Sequence, residues 1–381
     1  MKNKKKLAIL ADFPAVWVDP ELAGQGWHHA PIWLAKVRDF LADSEQFETH
    51  WIVFSPFVRR SGYRKYERWN QTFHILPRYS LKWDQRTHYL YAGWAAGRIL
   101  KRIKPDIVHS WGTEAEYAVA ALGQKCVKIL SMQGIISACL RRSPMGAHFK
   151  AQEKYEIQAI KSFDIITSES IWGCNRVREI APEKSIMRWE YAPDDSCFTQ
   201  MWTPAEQPCC VLAGTDTPLK NIAAAVKAFS SPELSHVTLY MAGAAPENHP
   251  NLPPNIKALG GIPREELFRY MCKAWCLVHP SLADTSPNAV KEARVIGLPI
   301  VVSEETGGTQ YVVHGESGYI FNPHDVEMLK QGVCSIVKDR ETALRMGHLY
   351  HDECRRALSA ETMRARMMEV YHQALAVGEN Q

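Results

Sequence analysis

The chain has 381 residues, of which 46% are hydrophobic and 23% charged, a composition typical of a globular protein with two or three domains. No apolar run reaches the roughly 18–20 residues that a membrane-spanning helix needs, which argues against an integral membrane protein. The net charge of +4 is too small to indicate nucleic-acid binding by itself, and the ten cysteines include no CxxC pair, which favours reduced thiols in a cytoplasmic protein.

Apolar segments alternate with amphipathic ones along the first half of the chain, which predicts strands alternating with helices. The segment 6–13 is predicted to be a strand rather than part of a signal peptide, because Asp12 and Pro14 interrupt its apolar run. A loop with Gly26 then leads into a helix predicted over 31–41, and such a loop can bring backbone N–H groups close to a diphosphate. The pattern predicts further strands over 49–54, 105–109, 127–132 and 164–167, and further helices over 87–103 and 150–162.

Residues 57–104 combine positive charge with aromatic side chains. The segment holds twelve Lys or Arg residues against two acids, Glu67 and Asp84, with ten aromatic residues interleaved. Basic residues attract anionic lipid and aromatic rings settle at a membrane interface, so the segment fits an anionic membrane surface. The alternatives are a grip on nucleic acid and a solvated face with core aromatics, and composition alone does not separate the three.

The second half of the chain shows the same alternation. A linker is predicted at 203–208, where two prolines stand and no apolar period continues. Residues 315–321 are predicted to form a hairpin-like return. The pattern predicts strands over 211–216, 237–242, 256–259, 275–278 and 298–302, with helices over 265–273, 288–296 and 360–375.

The stretch 279–302 carries the residues with the clearest chemistry. It is predicted to contain a strand end, a polar loop, a helix that starts near Asn288 and a second strand. A helix start presents free N–H groups and partial positive charge, which suits a phosphate, and Ser286 can add a side-chain donor. Asp284 and Glu292 are separated by seven residues, and carboxylates beside a phosphate site often bind ribose or sugar hydroxyls. The alternative is a helix-capping Asp and an ordinary surface Glu.

This stretch resembles the E-x(7)-E signature of the retaining GT-B glycosyltransferases in the glycogen-synthase and mannosyltransferase-like group, glycosyltransferase family four. The family pattern reads Pro-Ser-x-x-Glu, seven residues, Glu-Ala and then Gly-x-Pro-Val-Val. This chain has Pro280-Ser281, Asp284, Glu292-Ala293 and a Gly-Leu-Pro-Ile-Val run at 297–301 in the same order. Asp stands in place of the first Glu, so the carboxylate reaches one methylene less far toward a sugar.

Residues 214–220 carry a second resemblance to the same family. They are similar to its Gly-Arg-x(4)-Lys pattern, in which the two cations bind the donor diphosphate. Lys220 is present, whereas Thr215 stands where the family has Arg. Threonine lacks the permanent charge and the rigid fork of arginine. Either another cation substitutes, with Arg264 and Arg294 as candidates, or donor affinity is weaker.

The resemblance implies a fold of two Rossmann-like doubly wound α/β domains that face a cleft, the GT-B architecture. Residues 1–202 would form the acceptor domain and residues 203–359 the nucleotide-sugar donor domain. The last helix, within 360–381, would pack back onto the first domain. The likeness is strongest over 205–325 and weaker over the first half.

The function implied by the resemblance is retaining transfer of a hexose from a nucleotide-sugar, with a UDP-sugar as the first candidate, to a glycan or a lipid-linked acceptor. Lys220, Asp284 and Glu292 are the predicted catalytic residues. Neither a cofactor nor a metal is expected, since the motif lacks an Asp-x-Asp pair. The predicted donor-binding residues are Gly26, Gly214, Thr215, Gly243, Ile262, Thr285, Ser286, Pro287, Asn288, Ala289 and Val290.

Three residues of the first half are candidates for contact with the acceptor or the transferred sugar. His109 ends a strand that the family places at the cleft, although a structural histidine is the alternative. Gln133 stands where the family commonly has histidine, and it can hydrogen-bond a hydroxyl but cannot act as an acid or base. Arg141 could bind an acceptor phosphate, with a solvated charge as the alternative.

Two rival functions remain open at this point. A sugar-nucleotide epimerase would share the fold but need no acceptor. A non-catalytic GT-B partner subunit would bind a glycan or lipid carrier, and the substitutions at Thr215, Gln133 and Asp284 are compatible with it. The expected location is cytoplasmic, with a possible peripheral position on the inner face of the cell membrane through residues 57–104.

Overall fold

The computed structural model describes residues 4–22, 31–58 and 62–379. In these parts of the chain two separate sheets form, one from strands that precede residue 189 and one from strands that follow residue 208. Buried apolar side chains cover both faces of each sheet. The predicted fold class, two Rossmann-like doubly wound α/β domains, is confirmed.

The first sheet is mostly parallel, as expected for strands joined by helical crossovers. Its strands are β1 (Lys5–Leu10), β2 (Phe47–Ser55), β3 (Arg64–Arg68), β4 (Gln71–Pro77), β5 (Ile107–Trp111), β6 (Val127–Ser131), β7 (Ile165–Ser168) and β8 (Ser185–Arg188). Their order in the sheet is β3-β4-β2-β1-β5-β6-β7-β8, and the edge pair β3–β4 is antiparallel. The central strand β1 is buried from Leu7 to Leu10, which explains its continuous apolar run.

Helices of the first half pack on both faces of this sheet. They are α1 (Ala15–Val18), α2 (Ile32–Ala42), α3 (Leu81–Arg86), α4 (Leu90–Ile103), α5 (Glu116–Ala121), α6 (Ile136–Arg142), α7 (Ala147–Ser162) and α8 (Ile171–Ile180). Side chains of α2 belong to the core on one face, and side chains of α4, α5 and α7 belong to the core on the other.

The second sheet is parallel throughout the described residues. Its strands are β9 (Cys209–Ala213), β10 (Thr238–Ala242), β11 (Ile256–Gly260), β12 (Cys276–His279), β13 (Ile300–Ser303) and β14 (Gly318–Phe321). Their order is β11-β10-β9-β12-β13-β14. The helices are α9 (Ile222–Phe229), α10 (Arg264–Lys273), α11 (Asn288–Ile296), α12 (Val326–Val337), α13 (Arg340–His348), α14 (His351–Ala357) and α15 (Ala360–Glu379).

The last helix, α15, packs on the first sheet rather than the second. Met367 and Tyr371 are fully buried in the first-domain core, and the Tyr371 ring lies 5.3 Å from the ring of Phe47, centroid to centroid. The strand β1 and the helix α15 therefore belong to the same domain.

Some local predictions differ from the structure. The hairpin predicted over 315–321 is wrong, because β14 pairs in parallel with β13 through Ile300 and Gly318. The helix predicted over 87–103 starts at Leu90, after Tyr89 adopts a left-handed conformation. The antiparallel pair β3–β4 was not anticipated, since β3 consists of four charged residues and one tyrosine and shows no apolar alternation.

The described residues include no helix with the length and apolar character to cross a bilayer.

Candidate functional site

The predicted donor residues meet where the strand order of the second sheet reverses. Strands β9 and β12 pair in parallel, and the strand that follows β9 in the chain, β10, lies on one side of this point, whereas the strand that follows β12, β13, lies on the other. In open α/β sheets, ligands bind outside the carboxyl ends of the strands at such a reversal. The loops that follow β9 and β12 are joined directly, because the Leu282 N–H donates to the Leu219 carbonyl at 2.8 Å.

Lys220 and Asp284 form an ion pair across these two loops. The Lys220 Nζ lies 2.6 Å from the Asp284 Oδ2, and the His279 Nε2 lies 3.5 Å from the same oxygen. Burial acts to raise the pKa of Asp284, but the charge of Lys220 and the contact with His279 outweigh it and hold the pKa below its usual range. Asp284 is therefore a carboxylate at neutral pH and can accept hydrogen bonds from sugar hydroxyls.

Glu292 is paired with a cation from the neighbouring helix. It lies in α11 and is 4% exposed, and the Arg264 Nη1, from the start of α10, lies 2.5 Å from its Oε1. Burial raises the pKa of Glu292 to about 7, against the charges of Arg264 and Lys291, which lower it. The ionisation state of Glu292 therefore changes near neutral pH.

Arg264 remains a candidate for the cation absent at Thr215; its partner in the structure is Glu292, and Thr215 itself is exposed. The other candidate, Arg294, does not fit that role. Its side chain is fully buried and donates to the carbonyls of Leu298, Gly347 and Leu349, so it fastens α11 to the segment before α14.

The first turn of α11 presents donors at the carboxyl edge of the sheet. Val290 donates its N–H to the Pro287 carbonyl at 3.1 Å, which leaves the N–H groups of Asn288 and Ala289 at the open end of the helix. The Ser286 Oγ is buried, yet it has no hydrogen-bond partner among the residues that the structure describes. Because buried polar atoms are normally paired, this hydroxyl is a candidate donor to a ligand.

Gly243 allows the end of β10 to approach the backbone at Gly214 closely. Gly243 has a φ of +92°, and a Cβ placed there would lie 2.7 Å from the Gly214 carbonyl oxygen. A side chain at Gly243 would therefore push the end of β10 away from the loop that carries Lys220. Ile262, half-buried, lies in the turn between β11 and α10.

The first domain contacts the same motif from the other side. The Ser170 hydroxyl donates to the Thr285 carbonyl at 2.6 Å. The Lys291 Nζ, buried, lies 2.8 Å from the Glu169 Oε2 and 3.2 Å from the Tyr191 carbonyl. The helix α11 is therefore attached to the first domain by a charged contact that the sequence analysis did not predict.

This buried pair predicts a large effect on stability. Changing Lys291 to Met leaves the Glu169 carboxylate buried without its cation, so we expect the free energy of unfolding to fall by about 3–5 kcal/mol. The Lys291→Met/Glu169→Gln double variant should lose less than the single variant, because the uncompensated charge is gone. Chemical denaturation measures both.

The exposed pair Arg366–Glu369 provides the control for that measurement. Its nitrogen and oxygen lie 2.7 Å apart with both side chains about half exposed, so Arg366→Met should change the unfolding free energy by no more than about 1 kcal/mol. A Lys291→Met variant as stable as Arg366→Met would contradict the assigned role of the buried pair.

Two of the acceptor candidates lie away from this site. His109 is fully buried, with its Nδ1 3.1 Å from the Tyr371 hydroxyl and its Nε2 2.7 Å from the Ser131 hydroxyl, so it belongs to the core under α15. Arg141 is on the exposed part of α6, where its Nη2 lies 3.4 Å from the Glu179 Oε2. Gly26 lies outside the described residues.

Gln133 lies beside a carboxylate that sequence reasoning missed. It is half-buried and donates to the Tyr191 hydroxyl at 3.3 Å. Next to it, Glu114 accepts from the N–H groups of Thr113 at 2.8 Å and of Gly134 at 2.5 Å. A Cβ at Gly134 would lie 2.7 Å from a Glu114 oxygen, so the glycine makes room for the carboxylate. Burial raises the pKa of Glu114.

The available signal for Glu114 was its position just after β5, at the reversal point of the first sheet. There β5 lies beside β1, and the strand order changes direction. An acid at that edge is a polar group at the place where a doubly wound domain binds ligands. The signal for Lys291 was weaker, because its partner Glu169 is 122 positions away in the chain.

A family model described as Glycosyl transferases group 1 matches residues 202–348. The amylovoran biosynthesis glycosyltransferase AmsK of Erwinia amylovora is 34% identical over 80 residues, which are 19% of this chain and 20% of that protein. The D-inositol 3-phosphate glycosyltransferase of Corynebacterium efficiens is 29% identical over 110 residues, 27% of this chain and 26% of that protein. The matches thus span a fifth to a quarter of these relatives.

Solved structures resemble the chain over nearly its whole length. Sucrose-phosphate synthase from Thermosynechococcus elongatus gives a TM-score of 0.77 at 15% identity, covering 98% of this chain and 100% of that one. Anabaena HepE, solved in complex with UDP and glucose, gives 0.64 at 12% identity, covering 97% and 100%. Trehalose 6-phosphate synthase from Burkholderia multivorans gives 0.68 at 11% identity, covering 99% and 98%. The chain therefore has the GT-B fold, and its residues 202–348 resemble the glycosyl transferases group 1.

Proposed function

We propose that this protein is a retaining glycosyltransferase that moves a hexose from a nucleotide-sugar, with UDP-sugar as the preferred donor, to a glycan or a lipid-linked acceptor. The observation that carries the proposal is the pair of charged contacts at the reversal point of the second sheet. There Lys220 meets Asp284 at 2.6 Å, and Arg264 meets Glu292 at 2.5 Å. Both acids of the sequence motif thus have a cation beside them.

Each part of a nucleotide-sugar has a matching group in this arrangement. The N–H groups of Asn288 and Ala289, the Ser286 hydroxyl and the Lys220 ammonium suit the diphosphate. Glu292 suits the ribose, because ribose hydroxyls donate to a carboxylate. Asp284, held as a carboxylate by Lys220, suits the hydroxyls of the donor sugar.

The proposed reaction is a displacement on one face of the sugar. The bond between the anomeric carbon and the diphosphate oxygen breaks, and a bond to the acceptor oxygen forms on the same face. The acceptor proton passes to the departing diphosphate oxygen, so no protein base is needed, which is compatible with Gln133 near the cleft. Lys220 and the start of α11 stabilise the negative charge that develops on the diphosphate. The proposal includes no metal and no cofactor.

Calorimetry with UDP-, GDP-, ADP- and dTDP-sugars tests this function. We expect saturable binding of a UDP-sugar, followed by release of UDP when an acceptor is supplied. Absence of binding to every nucleotide-sugar would instead support a non-catalytic partner subunit. Conversion of the donor to an epimerised sugar without any acceptor would support an epimerase.

A lipid-linked acceptor would place the protein at the inner face of the cell membrane. This location is part of the proposal, and it requires a surface of the protein that contacts the lipid.

A further inference from the structure

Exposed apolar side chains are concentrated in one segment of the first domain. Eleven large hydrophobic side chains are exposed among the described residues, and six of them lie between residues 57 and 94. The most exposed of the six are Leu90 at 71% and Trp94 at 58%, and Trp83 is 43% exposed. Isolated exposed apolar residues are ordinary, but a contiguous group marks an interaction surface.

Trp83 and Trp94 are linked into one patch through the rings of Tyr79 and Tyr91. The Tyr79 ring lies 4.7 Å from the Trp83 ring and 4.7 Å from the Tyr91 ring, centroid to centroid. Tyr91 in turn lies 6.2 Å from Trp94. Leu90 and Trp94 are four positions apart in α4 and therefore share a face of the helix. The opposite face of α4, with Ala96 and Leu100, is buried in the core.

Basic residues continue the same faces of both helices. Arg98 and Lys101 follow Trp94 at spacings of four and three positions, and the Arg98 guanidinium carbon lies 5.0 Å from the Trp94 ring centroid. In α3, Lys82 and Arg86 are exposed on either side of Trp83. We call the exposed side chains of these two helices the α3–α4 surface: Lys82, Trp83, Arg86, Leu90, Trp94, Arg98 and Lys101.

The charge of the α3–α4 surface has one sign. The acid within these helices, Asp84, is only 3% exposed, so it does not neutralise the surface. A second copy of the chain would bring an equally positive surface against this one, which repels. An anionic partner is complementary to it. Leucine and tryptophan projecting between cations match a lipid interface, where aliphatic groups enter the hydrocarbon boundary while cations meet headgroups.

We propose that the α3–α4 surface docks the protein on an anionic lipid bilayer. Leu90 and Trp94 insert at the headgroup boundary, Trp83 lies at the interface, and the four cations contact lipid phosphates. This inference rests on the proposed function only for its purpose, the approach to a lipid-linked acceptor. Its evidence lies on a different part of the molecule from the donor site.

Sedimentation of the full chain with vesicles tests the proposal. We expect binding to vesicles that contain phosphatidylglycerol, little binding to phosphatidylcholine vesicles, and weaker binding at high salt. Each cation near an anionic surface contributes about fivefold to binding, so Arg98→Ala/Lys101→Ala should reduce it on the order of 25-fold. Leu90→Ser/Trp94→Ser should reduce vesicle binding by at least tenfold without changing the net charge of the protein.

The matched control removes two exposed lysines of the second domain, Lys227→Ala/Lys338→Ala, which changes the net charge equally. This control should retain binding within about twofold, because salt screens the attraction between the membrane and charges that lie far from the docking surface. All variants change exposed side chains, so their melting temperatures and UDP-sugar binding should match the unmodified chain. That calorimetric readout separates failure of docking from failure of the proposed function.

Several outcomes would overturn the proposal. Failure of the unmodified chain to bind anionic vesicles would do so, as would equal loss in the control variant. Unchanged vesicle binding in the two surface variants would also overturn it. If those variants lost binding to single-stranded DNA but not to vesicles, the surface would be a nucleic-acid site. If they instead dissociated a dimer that does not bind vesicles, its partner would be a second copy.

Discussion

Replacing Lys220 with alanine is expected to reduce kcat/KM for the nucleotide-sugar by about 10²–10³-fold. In the proposed reaction, the variant lacks the ammonium that would face the departing diphosphate. It also leaves Asp284, whose Oδ2 lies 2.6 Å from the Lys220 Nζ, without its main cation. We therefore expect both weaker donor binding and slower turnover, measured by calorimetry and by release of UDP.

Two companion variants make this result specific. Lys227→Ala removes an exposed lysine from α9 in the same domain and should leave turnover within about twofold, as expected for a surface substitution. Lys220→Arg keeps the positive charge with a different shape, so it should recover part of the activity. Turnover by Lys220→Ala equal to that of the unmodified chain would rule out the proposed role, provided that its melting temperature shows a folded protein.

Donor affinity should fall by about tenfold between pH 8 and pH 6 because Glu292 becomes protonated. Burial raises its pKa to about 7, so the ionised fraction falls from about nine tenths to about one tenth over this range. Ribose hydroxyls donate to the ionised form, so binding is strongest above the pKa and is lost as pH decreases through it. Calorimetry with a UDP-sugar is suitable, because each of its phosphates carries one ester and one anhydride linkage, so its single acidic oxygen stays ionised throughout this range.

Variants of Glu292 and Arg264 distinguish this cause from a general effect of pH. Glu292→Gln has no carboxyl to titrate, so its donor affinity should be weak and nearly constant between pH 6 and pH 8. Arg264→Ala removes the charge that lowers the pKa of Glu292, so the midpoint of the curve should move to higher pH. A curve in Glu292→Gln that is as steep as in the unmodified chain would show that another group titrates.

The architecture followed well from sequence patterns. Strands such as β1 and β12 are short apolar runs because both of their faces are buried. The start of α11 near Pro287 and its end at Gly297 are local signals, since proline suits a first turn and Gly297 adopts a φ of +116°. These features depend on near neighbours in the chain.

The acceptor side was predicted less well. His109 matched a family pattern by position, yet its ring faces the core under α15, a helix that follows it by more than two hundred residues. Glu114 was missed although it lies at the cleft-side end of β5. Its carboxylate depends on the absence of a side chain at Gly134, a contact between two different strand ends. No periodicity in the sequence encodes such a contact.

The amino-acid sequence by itself determined which residues carry charge, where the helices and strands lie, and that an acid pair flanks a helix start. Only the tertiary structure decided the partners: Asp284 with Lys220, Glu292 with Arg264, and Lys291 with Glu169. The physical reason is that secondary structure arises from neighbouring residues, whereas these ion pairs join segments that come together only when the strands order themselves and the two domains meet.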